Sequence, residues 1–159
     1  MDRAERLWRQ FVAGVGLLVI ASVSVMVPAT VAVAQDTPLT VEGAKTVSAE
    51  EVKALLAKGA KLFDLRKKAS YVEKHIAGAV QANYDEKSIK VVSYDPTVDT
   101  FDLGKLPADK NTAVIFHGHG TDGWKGYKAA RAAVKAGYKN VSFFRGGFAE
   151  WIAKGLPTE

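Results

Sequence analysis

Short apolar runs alternate with helical stretches along most of this 159-residue chain, and that alternation limits the folds open to it. Residues 113–117 are apolar up to His117 and β-branched at Val114 and Ile115, a pattern typical of a buried central strand. A glycine-rich loop follows, and residues 124–136 have the composition of a helix that Gly137 ends. This order predicts an α/β domain with a mostly parallel central sheet and helices on both faces.

The remaining segments extend the same alternation. Ser48 and Glu51 form a capping box, and an apolar helical stripe follows them until Gly59. Further short apolar runs and helical patterns predict three more strands and two more helices, with the strands at 61–65, 78–82 and 141–144 and the helices at 70–74 and 148–154. One domain over residues 47–159 accounts for all of them.

Two segments lack such periodicity. Residues 35–46 carry Pro, Thr and Gly, which predicts a flexible lead-in before the domain. Residues 85–106 are polar and rich in turn residues. Because Tyr84, Tyr94 and Phe101 lie in or beside this insert, we expect it to cover a recess or to meet another protein.

The first 34 residues have the pattern of a signal peptide. Three arginines within the first nine residues precede an uncharged stretch from Phe11 to Val27, and Ala32-Val33-Ala34 follows. We predict cleavage after Ala34. Phe11 to Val27 is also long enough to cross a bilayer, so an uncleaved N-terminal membrane anchor is the alternative. Either form predicts a periplasmic or otherwise exported domain, with membrane contact only through an uncleaved leader.

The composition excludes several kinds of chemistry. The chain contains no cysteine, so disulfides, thiolate catalysis, zinc–thiolate sites and iron–sulfur clusters are all excluded. The formal net charge is +5, but the lysines are scattered beside acidic residues. We therefore predict no nucleic-acid partner and no cofactor.

The segment Gly118-His119-Gly120-Thr121-Asp122-Gly123 connects the central strand to the next helix. A loop rich in glycine can turn several backbone N–H groups inward, above the positive end of that helix. This arrangement favours an anion, with Lys125 or Lys128 as added charge. The simpler alternative is a tight β-to-α turn that binds nothing.

Several motifs in order make the chain resemble the rhodanese-like family. Asp64-Leu65-Arg66, Tyr71 and His75-Ile76-Ala77-Gly78-Ala79 look like the first rhodanese signature. The second half agrees through Val114-Ile115-Phe116, Tyr127-Lys128-Ala129-Ala130, Gly137-Tyr138-Lys139-Asn140-Val141, Arg145-Gly146-Gly147-Phe148, Trp151 and Gly155-Leu156-Pro157. The resemblance implies a rhodanese fold from about residue 47 to residue 157.

The resemblance also locates the missing nucleophile. Rhodanese-like enzymes carry a persulfide on a cysteine at the start of this loop, a position that is Gly118 here. The loop is similar to a longer exported variant with a Cys-x-x-x-x-Cys-Trp pattern, whose second cysteine falls at Gly123, before Trp124. Lys125 and Gly126 stand where Arg and Ser are usual. We expect ordinary sulfur transfer to be absent.

The resemblance thus implies a noncatalytic domain that binds a small anion or a periplasmic partner protein at residues 118–125. The substitution Gly118→Cys is expected to place a thiol above the N–H groups of the loop. An alternative is an enzyme with histidine-based chemistry on an oxyanion, which would use His117 or His119 together with Asp122. The loop breaks the strand geometry that would align the two histidines, so we predict no metal site.

Four other residues have structural predictions with a functional alternative. Asp64 and Arg66 are predicted to form an ion pair at the end of a strand, near the floor of the site. His75 is expected to hydrogen-bond the backbone and hold a turn. Trp124, at the exit of the loop, is expected either to fill the core or to form a wall of the recess.

Overall fold

The computed structural model describes residues 35–159, so the predicted signal peptide or anchor at 1–34 lies outside the described residues. Within the described part, no helix is long and apolar enough to cross a membrane. The elements follow one another as β1 (Lys45–Thr46), α1 (Ala49–Ala57), β2 (Lys61–Asp64), α2 (Lys68–Glu73), β3 (Val80–Gln81), β4 (Tyr84–Asp85), β5 (Thr100–Phe101), a 3-10 helix (Leu103–Lys105), β6 (Val114–His117), α3 (Trp124–Lys135), β7 (Val141–Phe144) and α4 (Gly147–Ala153).

Five parallel strands form the central sheet in the order β1-β7-β6-β2-β3. Alternate residues of β6 pack on opposite faces: Phe116 joins a core with α3, whereas Ile115 joins a second core with α1 and α4. The predicted α/β domain with helices on both faces is confirmed. Because β2 and β6 pair in register, their last residues, Asp64 and His117, lie side by side.

Residues 35–46 differ from the predicted flexible lead-in. Thr37 is 2% exposed and Val41 belongs to the core. Lys45 and Thr46 form β1, which pairs with β7 at one edge of the sheet. Single buried residues and a two-residue strand produce no sequence periodicity, so this packing could not be seen in the pattern. The folded domain begins before residue 47.

The insert after β4 is held to α3 by a buried lysine. Nζ of Lys128 lies 2.7 Å from Oε1 of Glu86 and 2.8 Å from Oγ of Ser88, and the lysine side chain is fully buried. Asp99 is 3.8 Å from the same Nζ and accepts hydrogen bonds from the hydroxyls of Tyr84 and Ser88. The prediction that Lys128 adds charge for an anion at the loop is wrong, because its ammonium group is paired with the carboxylates of the insert.

Removal of the Lys128 charge should destabilise the domain strongly. We expect Lys128→Gln to lower the free energy of unfolding by about 3 kcal/mol, since the carboxylates of Glu86 and Asp99 would stay largely buried without their counter-ion. Lys135→Gln, an exposed change on the same helix, is the matched control and should cost less than about 0.5 kcal/mol. Urea unfolding measures both, and equal effects would contradict the structural role of Lys128.

Candidate active-site loop

The loop from Gly118 to Gly123 is closed on its own backbone. The N–H of Gly123 donates to the carbonyl of Gly120 at 2.8 Å, and the N–H of Trp124 donates to the carbonyl of Asp122 at 2.9 Å. A Cβ atom at Gly118 would lie 2.8 Å from Cα of Gly123, closer than side chains approach a backbone. The space that a side chain at position 118 would need is therefore occupied by Gly123.

Two helix starts press against the same loop. A Cβ atom at Gly126, in the first turn of α3, would lie 2.9 Å from the backbone nitrogen of Gly118. At Gly147, where φ is +57°, it would lie 2.6 Å from the Gly118 carbonyl oxygen. The N–H of Phe148 donates to that same oxygen at 3.1 Å. Only glycine permits both approaches, and at Gly147 the left-handed φ requires it as well.

The N-terminal segment covers the outer side of the loop. The backbone N–H and the hydroxyl of Thr37 both donate to the carbonyl of Thr121, at 2.8 and 2.7 Å. Arg145 donates to the carbonyl of Thr37, and the indole Nε1 of Trp124 donates to the carbonyl of Gln35 at 2.6 Å. Trp124 is 2% exposed, so it fills the core and forms no wall of a recess.

A recess of about 270 Å³ opens on the other side of the loop. Of the predicted loop residues, the recess is lined by Gly118, His119, Asp122, Gly123 and Lys125. Gly120, Thr121 and Trp124 are not among its lining residues. The remaining lining comes from two other parts of the chain, residues 65–70 after β2 and residues 86–90 of the insert.

Sequence reasoning missed two cations of this recess, Lys67 and Lys90. Lys67 follows directly after the Asp64-Leu65-Arg66 motif, so its position beside the motif was a usable signal. Lys90 carried no signal, because it lies in the insert, whose path over the domain is set by contacts distant in sequence. With Lys125 they bring three lysines to the lining of one small recess.

The predicted ion pair between Asp64 and Arg66 is present at the floor. Nη2 of Arg66 lies 2.7 Å from Oδ2 of Asp64, which is fully buried. The guanidinium also donates to the carbonyl of Lys74 at 2.7 Å and stacks on the ring of Phe148, 3.8 Å from its centroid. The charge of Arg66 is thus largely compensated within the fold, and its main effect is to join β2, α2 and α4.

His75 holds a turn, as predicted. Its Nδ1 lies 2.9 Å from the carbonyl oxygen of Tyr71, and its ring stacks on the Tyr71 ring. Its backbone N–H and carbonyl both pair with Glu159. The histidine therefore joins the end of α2 to the C-terminal segment, at a position that is not part of the recess lining.

His117 is buried beneath the loop rather than displayed on it. Its Nδ1 lies 2.9 Å from the Gly118 carbonyl, which can only accept, so Nδ1 carries the proton. Nε2 is 3.7 Å from Oδ2 of Asp64 and has no hydrogen-bond partner among the described residues. Burial lowers the pKa of His117, and this effect outweighs the opposing influence of Asp64 and of the Gly118 carbonyl. The imidazole is therefore neutral at physiological pH.

The three residues of the alternative hypothesis, histidine-based chemistry on an oxyanion, do not all lie at the same site. His119 and Asp122 line the recess, whereas His117 is fully buried. Within residues 35–159, no group of three His, Asp or Glu side chains could hold a metal ion. The expectation for Gly118→Cys also needs correction, because a Cβ atom there points at the Gly123 backbone instead of lying free above the N–H groups.

The family model of the rhodanese-like domain matches residues 48–154. The chain belongs to the rhodanese-like domain family. Among solved structures, the Alr3790 protein from Anabaena is 25% identical with a TM-score of 0.52, and the match covers 71% of this chain and 79% of that one. No curated protein matches the chain.

Two further structures show a likeness of fold alone, because their identity to the chain is low. A thiosulfate sulfurtransferase from Pseudomonas aeruginosa is 24% identical with a TM-score of 0.52, and the match covers 74% of this chain but 20% of that one. A protein of unknown function from Rhodopseudomonas palustris, a possible tyrosine phosphatase, is 18% identical with a TM-score of 0.50 and coverage of 74% and 86%. This rhodanese-like domain has no cysteine to carry sulfur.

The close packing of the loop can be tested by adding one methyl group at either of two glycines. We expect Gly118→Ala to destabilise the domain by about 1–3 kcal/mol, since its Cβ must displace the backbone of Gly123. Gly120→Ala is the matched control: its Cβ would have ordinary contacts, the nearest at 3.6 Å from Cβ of Ala149. Thermal unfolding should show Gly120→Ala within about 0.5 kcal/mol of wild type. A tolerated Gly118→Ala would mean that the loop is open.

The buried neutral His117 should make stability depend on pH. Since the pKa of His117 is lowered by folding, its contribution is complete above the unfolded-state pKa of about 6.5 and is lost as the pH falls below that value. His117→Gln cannot titrate and retains a donor for the Gly118 carbonyl. Urea unfolding between pH 8 and pH 5 should show a steeper loss for wild type than for the variant; parallel curves would contradict a neutral buried imidazole.

Proposed function

We propose that this rhodanese-like domain is noncatalytic and binds a small anion in the recess beside the loop, either free or as an acidic group of a partner protein. The observation that carries the proposal is the pairing of two features. Position 118 has neither a nucleophile nor space for one, and three lysines line the adjacent recess. A recess that cannot form a persulfide but still concentrates positive charge is suited to binding.

The charges that face the recess favour an anion. Lys67, Lys90 and Lys125 form no salt bridge within the part of the chain that the structure describes. Of the two acidic residues that line the recess, Glu86 is neutralised by Lys128, which leaves Asp122 as the opposing charge. The ammonium groups therefore attract an anion, and their partial exposure makes this attraction sensitive to salt.

Backbone donors of the loop support the same proposal. Over residues 35–159, the N–H groups of His119 and Asp122, which both line the recess, donate to no carbonyl or side chain, whereas their carbonyls accept hydrogen bonds. Unpaired backbone N–H groups need solvent or a ligand as acceptor. An oxyanion such as phosphate or sulfate offers several acceptor oxygens of suitable charge.

The proposed location rests on the sequence of residues 1–34. Its basic start, apolar centre and small residues before Gln35 support export to the periplasm, where the partner would be a small anion or a periplasmic protein. Membrane contact would come only from an uncleaved leader. N-terminal sequencing of the exported protein, with alkaline extraction of membranes, separates a soluble domain that begins at Gln35 from an anchored one.

Anion binding is tested by titration of the purified domain with phosphate, sulfate and thiosulfate, followed by calorimetry and NMR. We expect the triple variant Lys67→Gln, Lys90→Gln, Lys125→Gln to bind at least about tenfold more weakly, a difference of about 1.4 kcal/mol. The control variant replaces three exposed lysines that do not line the recess with glutamine, so that its net charge changes by the same amount. These lysines are Lys53, Lys58 and Lys139.

Two results would contradict the proposal. Equal weakening in the triple control variant would show that only overall charge matters, and an absence of anion binding by the wild-type protein at low salt would show that the recess is not an anion site.

A thiosulfate-to-cyanide sulfurtransfer assay on the same preparations tests the proposal that the domain is noncatalytic. We expect no turnover from wild type, and measurable turnover would mean a route that needs no protein thiol.

A further inference from the structure

A second and larger cavity lies between the insert and the C-terminal half of α3. It encloses about 510 Å³, within the range of about 300–1,000 Å³ that small-molecule sites occupy. We call it the insert cleft. It shares no lining residue with the recess at the loop, and neither the rhodanese-like match nor the proposed anion site assigns it a role.

We propose that the insert cleft binds a small aromatic carboxylate, with the ring of the ligand against the aromatic wall and its carboxylate at the cationic rim. The wall is formed by Tyr84, Tyr94 and Phe101, and the rim by Arg131 and Lys135. The insert cleft is a separate site, and ligand binding there does not depend on anion binding at the loop.

The aromatic wall is rigidly built. The rings of Tyr84 and Phe101 lie 5.5 Å apart, and Phe101 also contacts Phe116 of the core edge to face. The hydroxyl of Tyr84 donates to Asp99 at 2.9 Å, and Tyr94 is held beneath the guanidinium of Arg131, 5.1 Å from its ring centroid. An aromatic ligand can therefore contact the residues of the wall without ordering them first, which lowers the entropic cost of binding.

The charges in the cleft select a negative ligand. Asp99 is fully engaged: its Oδ1 accepts from the N–H groups of Lys87 and Ser88, and its Oδ2 accepts from the hydroxyls of Ser88 and Tyr84. Burial raises the pKa of Asp99, but these hydrogen bonds outweigh that effect and keep it below its usual range. The nearby ammonium of Lys128 also offsets its charge. Asp99 thus organises the wall and has no acceptor left for a ligand.

The rim cations remain available. Arg131 donates through Nη1 to the carbonyl of Val92 at 2.7 Å, which fixes the guanidinium and leaves its other N–H groups free to donate. Lys135 is exposed one helical turn later on the same face of α3 and has no salt bridge within residues 35–159. A neutral aromatic compound would leave these cations unused, and an inorganic anion would leave the rings unused. Only a ligand with both parts fits the whole cleft.

The test uses 2-naphthoate as the probe and its neutral analogue 2-naphthalenemethanol for comparison, titrated into the isotope-labelled protein and followed by NMR. We expect saturable shifts at Tyr94, Phe101 and Arg131 with naphthoate, and at least about tenfold weaker binding of the neutral analogue. Excess phosphate should not displace naphthoate. Its displacement by phosphate, or shifts confined to the loop recess, would assign the probe to the other site and overturn the proposal.

Variants distinguish binding in the insert cleft from a general effect of the net charge of the protein. Lys135→Gln should weaken naphthoate binding at least about threefold without changing the fold, and the double variant Arg131→Gln, Lys135→Gln at least about tenfold. Arg131→Lys, which keeps the charge, should retain more affinity than Arg131→Gln. The control Lys53→Gln, Lys58→Gln has the same charge change on α1 and at its end. Equal affinity of all proteins, or of naphthoate and its neutral analogue, would overturn the proposal.

Discussion

Close contact between the backbones of four glycines is the constraint on which the site depends. Gly118 and Gly123 meet across the loop, and Gly126 of α3 and Gly147 of α4 press against Gly118 from two sides. Because each of these contacts leaves no room for a Cβ atom, the end of the central strand and the starts of two helices converge within a few ångströms. The same closeness gives the loop its shape and removes the space in which a sulfur-carrying side chain would stand.

Charges in this domain divide into buried pairs that hold the fold and exposed groups that face solvent. The Asp64–Arg66 pair joins β2 to α2 and α4, and Lys128 joins α3 to the insert through Glu86. Lys128 also lies between the two cavities, since Glu86 lines the loop recess and Asp99 lines the insert cleft. The buried cluster of Lys128, Glu86 and Asp99 therefore contributes to the walls of both cavities, whereas the lysines that form no salt bridge within residues 35–159 lie among the lining residues that are at least partly exposed.

Elements whose stabilising contacts are local were predictable. The capping box at Ser48, the strand at 141–144 and the helix that begins at Trp124 have the bounds that sequence patterns indicate, or differ by a residue or two. The ion pair of Asp64 with Arg66 was predictable as well, since it joins residues two apart. The path of the insert and the packing of residues 35–46 were not, because both are set by hydrogen bonds to partners about 40 to 110 residues away.

The sequence by itself determined the chemical limits of this protein. A chain without cysteine cannot form a persulfide in any conformation, and alternating strand and helix patterns already specified a parallel α/β sheet. Only the tertiary structure decided which polar groups face a ligand. His117 and Lys128 read as candidate site residues in the sequence, yet one is buried below the loop and the other under the insert. Burial and ion pairing arise from contacts between distant segments, and a linear pattern of residues does not contain them.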